Sequence, residues 1–224
     1  VRFSRVGAGA ALVWLAAGSL WVLAGGDPLV LGWLIVVAAA GAFVPGLANQ
    51  VTLARAYLAG PALYFAVRGE FAAVAVVVAL AGLSDLVDGT VARRVGSPTN
   101  FGGGFDPVVD GLFAGALCIG LALGGTLPLW LALVIVARYL LPAFGGGVLI
   151  LMGRRPELRH TLTGQVSTVL ILVLVGGVCL LRGLHQDASA LLAGAEIVIP
   201  VATVATYVHL AWASRRSVAA TGAG

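Results

Sequence analysis

Eight apolar stretches follow one another with barely room to turn between them, and that succession limits the chain to helices packed within a lipid phase. They run over about 7–24, 29–45, 51–67, 71–92, 104–124, 127–151, 163–183 and 190–213. Several approach the ~20 residues that carry a helix across the hydrocarbon, while the third begins on polar residues. Links such as Gly25-Gly26-Asp27-Pro28, Val67-Arg68-Gly69-Glu70 and Gly124-Gly125-Thr126 are so short that successive helices must run antiparallel. With 60% hydrophobic and 10% charged residues, the chain falls outside the composition of water-soluble globules. An all-α integral membrane protein is predicted, with no repeat or linker dividing it.

Charge orients the bundle. Lysine is absent and all 13 basic residues are arginine. An even number of spans puts Arg2, Arg5, Arg55, Arg93, Arg94, Arg154, Arg155, Arg159, Arg215 and Arg216 on one side and leaves Arg68 and Arg182 on the other. By the positive-inside rule the arginine-rich side is cytoplasmic, which makes this a multi-pass cell-membrane protein. The arginines are scattered without interleaved aromatics, so nucleic acid is not an expected partner. The first run is longer than a usual signal-peptide core and lacks a clear cleavage site, so it reads as a retained span. Cys118 and Cys179 lie inside apolar runs and read as small buried hydrophobes.

Against this background, Asp85, Asp88, Asp106 and Asp110 stand out: four of the nine acidic residues fall in one 26-residue window. A carboxylate in a bilayer helix costs roughly 2.5–3.5 kcal/mol on insertion scales, and four together repel one another, so a positive partner is required. A helix continuing through Arg93 gathers Asp85, Asp88, Gly89 and Ala92 on one face, two oxygen ligands followed by two residues with almost no side chain. A flat ligand can lie against such a surface, with Arg93 at its edge within reach of a phosphate. Asp106 and Asp110 share a face at i and i+4, with Pro107 tolerated in a first turn. Two helix ends with two carboxylates apiece suit two Mg²⁺ or Mn²⁺ ions, the clamp that stabilises oxygens in phosphoryl displacement. A helix-packing or proton-relay aspartate is the bland alternative, and a divalent-cation channel or transporter the alternative from another class.

The pattern D-x2-D-G-x2-A-R-x8-G-x3-D-x3-D, filled by Asp85, Asp88, Gly89, Ala92, Arg93, Gly102, Asp106 and Asp110, resembles the signature of the CDP-alcohol phosphotransferases. Asn49, Thr52 and Arg55 look like that family's N-x2-T-x2-R entry to its first core helix. The resemblance covers about residues 46–215 and implies a six-helix transmembrane core bundle. Two extra N-terminal transmembrane helices then form an extension over 1–45 beside a main domain over 46–224. It implies transfer of a phosphatidyl group from CDP-diacylglycerol to an alcohol, with release of CMP. It implies four metal ligands, Asp85, Asp88, Asp106 and Asp110, of which Asp110 is also the general base. Asn49, Thr52, Gly89, Ala92, Arg93, Thr99 and Gly102 fall at positions that contact the CDP-lipid.

For the acceptor, the pieces around F-G-x3-D-P-V-x-D and the pair Ala137-Arg138 look most like phosphatidylglycerolphosphate synthases. Those enzymes usually carry lysine where this chain has Gly111 and Gln165. Arg138, an arginine inside a span, and Arg154 and Arg155 in the following loop are the groups left to meet an acceptor phosphate. Glycerol 3-phosphate leads as acceptor, ahead of inositol phosphate or another polyol. Membrane lipids are expected partners, and a homodimer is left open.

Overall fold

Each apolar run becomes one helix, because a buried or lipid-facing backbone must satisfy its own hydrogen bonds. The computed structural model describes residues 3–95, 102–151 and 162–221, with side chains described except at 85–95, 102–107, 143–151, 162–163, 165 and 210–221. The helices are α1 (Arg5–Leu23), α2 (Pro28–Gly41), α3 (Leu47–Arg68), α4 (Phe71–Val95), α5 (Gly102–Leu123), α6 (Leu129–Leu151), α7 (Leu162–Gly183) and α8 (Ser189–Thr221). The described residues contain no strand.

Local chemistry sets the ends. Ser4 caps α1 by accepting from the Gly7 amide at 3.1 Å. Asp27 caps α2 by accepting from the Leu29 amide at 2.9 Å, with Pro28 in the first turn. Gly69 closes α3 in the left-handed region, at a φ of +69°, while the Glu70 amide reaches back to the Phe65 carbonyl.

Six helices close a ring: α3 packs on α4, α4 on α7, α7 on α8, α8 on α6, α6 on α5, and α5 back on α3. The α1–α2 pair leans on α3 from outside that ring. Inside it, Ala62, Val74, Leu117, Leu121, Leu131, Ile135, Val175 and Ile199 are buried. Outward, Leu12, Ile35, Val76, Leu133, Val173 and Val204 are exposed, an apolar surface that water would not tolerate and lipid covers. Arg5–Leu23, Val166–Gly183 and Ser189–His209 are long and apolar enough to cross a membrane, and four further helices have shorter apolar stretches.

Small residues let α3 and α5 touch backbone to backbone. A methyl at Gly120 would stand 2.9 Å from the Leu63 carbonyl oxygen, and one at Gly124 2.5 Å from that of Ala66. At that same end the Arg182 guanidinium donates to Thr126 at 3.5 Å, and Gly183 abuts Ala72. The opposite end of the ring carries the polar side chains.

Candidate functional site

Asp110 lies two turns into α5, with its side chain about a quarter exposed (28%). Its carboxylate meets the guanidinium of Arg55, on α3, at 2.7 Å. Arg55 itself is buried, 5% exposed. A buried guanidinium needs a compensating partner, and the Asp110 carboxylate supplies one.

The pair opens on a cavity of about 90 Å³ walled by α3, α4, α5, α6 and α7. Tyr139 and Thr168 join Arg55 and Asp110 in its lining, and Ala81, Gly82, Phe113, Leu117 and Val175 supply apolar walls. The aspartate window lies on two of the helices that wall this cavity, α4 and α5. Asp85 follows the cavity-lining Ala81 by four residues and Asp88 by seven, on one face of α4. Asp106 precedes Asp110 by four residues on the face of α5 that continues through Phe113, Ala114 and Leu117.

Beside the cavity-lining Thr168, Arg138 on α6 is buried as deeply as Arg55, yet its partners are neutral. One guanidinium nitrogen donates to the Ser167 hydroxyl; another donates to the Gly164 carbonyl at 2.8 Å and the Thr168 hydroxyl at 3.1 Å. Its charge also stands 5.5 Å from the centre of the Tyr139 ring. Among the described residues no carboxylate pairs with it.

The predicted site residues thus fall into four groups. Asp110 and Arg138 border or flank one cavity, and Asn49 and Thr52 are buried at the start of α3. There the Asn49 amide donates to the Pro45 carbonyl at 2.8 Å, and the Thr52 hydroxyl stands 3.4 Å from that of Ala48. Asp85, Asp88, Gly89, Ala92, Arg93, Gly102 and Asp106 are helical, but their side chains lie outside the described residues. Thr99, Arg154 and Arg155 lie outside them altogether. Among the described residues no three His, Cys, Asp or Glu side chains gather.

Sequence reasoning missed the partnership of Arg55 with Asp110 and the role of Ser167 and Thr168 in holding Arg138. The need for partners was readable, since both arginines sit within segments drawn as helices, but which residues answer them depends on tertiary packing.

Comparison with known proteins supplies independent support. A model of the CDP-alcohol phosphatidyltransferase family matches residues 46–212. A probable phosphatidylglycerophosphate synthase of Mycobacterium tuberculosis is 32% identical over 176 residues, covering 74% of this chain and 81% of its own. A probable cardiolipin synthase (CMP-forming) of Drosophila melanogaster is 40% identical over 91 residues, and the chain spans 28% of its length. The CDP-diacylglycerol–glycerol-3-phosphate 3-phosphatidyltransferase of Bacillus subtilis is 33% identical over 94 residues, 48% of its length. No solved structure gives a significant match.

Proposed function

The chain belongs to the CDP-alcohol phosphatidyltransferase family, and from that premise we propose that it moves a phosphatidyl group from CDP-diacylglycerol to glycerol 3-phosphate, releasing CMP. The observation that carries this reading is Asp110, paired with Arg55 at 2.7 Å, the two lining a cavity that α4 also walls.

In the proposed reaction the acceptor hydroxyl oxygen forms a bond to the lipid-side phosphorus as the bond from that phosphorus to the CMP oxygen breaks. The hydroxyl proton passes to the Asp110 carboxylate, and CMP leaves with the bonding pair. Arg55 holds the Asp110 carboxylate in place through their ion pair. Gly89 and Ala92 supply the small face for the cytidine, with Arg93, Asn49, Thr52, Thr99 and Gly102 around the nucleotide. Asp85, Asp88, Asp106 and Asp110, hard oxygen donors on two helix faces, fit a pair of Mg²⁺ or Mn²⁺ ions. When bound, these ions would neutralise phosphate charge.

Arg138 supports a phosphorylated acceptor. A buried cation held by hydroxyls and a carbonyl keeps its full charge, which attracts an anion entering the cavity region. Arg154 and Arg155 extend that attraction into the α6–α7 loop. In this reading all eight helices span the bilayer and the site faces the cytoplasm, where the arginine-rich loops lie.

The test is CMP release by reconstituted protein with CDP-diacylglycerol and Mg²⁺, across glycerol 3-phosphate, inositol phosphate, inositol, serine and the lipid alcohol phosphatidylglycerol. Release that depends on glycerol 3-phosphate and vanishes in Asp110→Asn supports the proposal. Release with another acceptor corrects the substrate, and no release with any refutes the reaction.

A further inference from the structure

Residues 1–45 precede the stretch that the family model matches, yet hydrogen bonds and ring contacts tie α3 to them. The Gln50 amide nitrogen donates to the Gly41 carbonyl at 3.0 Å and to the Val44 carbonyl at 2.7 Å. Both acceptors lie at the end of α2 and in the turn after it, and Gly41 also accepts from the Val44 amide at 3.0 Å. The Trp33 indole of α2 donates to the Ala56 carbonyl of α3 at 2.8 Å. Its ring fills the space over Gly60, where a methyl would stand only 2.3 Å from it. Trp14 of α1 stacks on Tyr57 with ring centres 4.9 Å apart.

Helix geometry shows what these locks control. Gln50, Leu53, Tyr57 and Gly60 lie on the face of α3 turned to the N-terminal pair. Arg55, Ala59, Ala62 and Ala66 lie on a face about 160° away, turned to α5. α3 is therefore gripped from behind while it presents Arg55 in front. The same buried cluster extends to the neighbour of Asp110. Val109, the neighbour of Asp110, is 3% exposed and belongs to the buried cluster that Val30, Leu34, Leu53 and Tyr57 form.

We propose that the α1–α2 hairpin is a brace that fixes the rotation and height of α3 and so holds Arg55 in register with Asp110. Gln50 and Trp33 are its positioning residues. They touch no substrate; they act through the ion pair, and this inference rests on the transfer reaction proposed above. Indole and amide donors aimed at backbone carbonyls resist sliding and turning of α3, which apolar packing alone leaves cheap.

The experiment uses the full chain in lipid, with Gln50→Leu and Trp33→Phe, each removing a donor while keeping bulk. Expected is a fall in kcat of about ten- to a hundredfold, the effect of a small misplacement, with a rise in KM for CDP-diacylglycerol beside it because Asn49 and Thr52 ride on the same helix. Amide exchange across residues 50–57 should rise in both variants. In an Arg55→Ala background, Gln50→Leu should cost less than about twofold, because the route through Arg55 is already cut. Unchanged kcat in folded Gln50→Leu and Trp33→Phe, or an effect that multiplies fully with Arg55→Ala, overturns the brace. Should Gln50→Leu fail to fold, Trp33→Phe carries the same test. If the parent protein releases no CMP with any acceptor, the transfer reading fails. Exchange then decides the brace alone, and unaltered protection at 50–57 rejects it.

Discussion

Arg55 and Arg138 are buried to almost the same degree at the same end of the bundle, and they are stabilised in opposite ways. Arg55 has a carboxylate, so charge meets charge and the pair has little net field. Arg138 has hydroxyls and a carbonyl, which satisfy its hydrogen bonds and leave its charge intact. Burying a cation without an anion is expensive in lipid, and in the proposed reaction the acceptor phosphate is the anion that answers it. The first arginine serves a residue of the protein; the second, in the proposed reaction, serves a substrate.

That contrast can be broken in order of expected effect. Asp110→Asn leaves Arg55 facing a neutral amide and removes the proposed base. Turnover should fall by about 10²–10⁴-fold in a CMP-release assay, and a near-normal rate would take Asp110 out of proton transfer. Arg138→Gln should lower kcat/KM for glycerol 3-phosphate by about ten- to a hundredfold, the worth of a charged hydrogen bond, and spare KM for CDP-diacylglycerol. Equal losses for both substrates would make Arg138 a packing element. Ser167→Asp sharpens the comparison further, because it gives Arg138 a carboxylate and makes it resemble Arg55. Acceptor affinity should drop about tenfold while thermal stability holds or rises, as expected when a partner anion displaces an external one. Ser167→Ala, which deletes one donor–acceptor contact, should cost only about 1 kcal/mol of stability and change the acceptor KM little.

The helices were legible because hydropathy reports contact with lipid and apolar interior, and all eight runs reappear as α1–α8. The misses lie where that signal inverts. The third run was drawn from 51, yet α3 begins at Leu47, because Asn49, Gln50 and Thr52 are buried against protein carbonyls or helix backbone. The second was drawn to 45, yet α2 ends at Gly41, with Ala42–Pro45 apolar but turning. In the site, the aspartate spacing and the isolation of Arg138 were visible as patterns along single helices. The pairing of α3 with α5 through Arg55, and of α6 with α7 through Ser167, depends on the register between helices, which no single-helix period encodes.

The contact of α3 with α5 at Gly120 and Gly124 makes one end of that helix pair a pivot. Asp110 lies about 15 Å along the helix from Gly120, at 1.5 Å per residue. A relative tilt of about 4° therefore leaves the glycine contact in place and shifts the carboxylate by about 1 Å, enough to matter for a reacting group. Bilayer thickness acts on such tilts. In the proposed reaction a lipid mixture that changes thickness would thus change the rate, the helix pair working as a lever whose short arm is clamped and whose long arm carries Asp110.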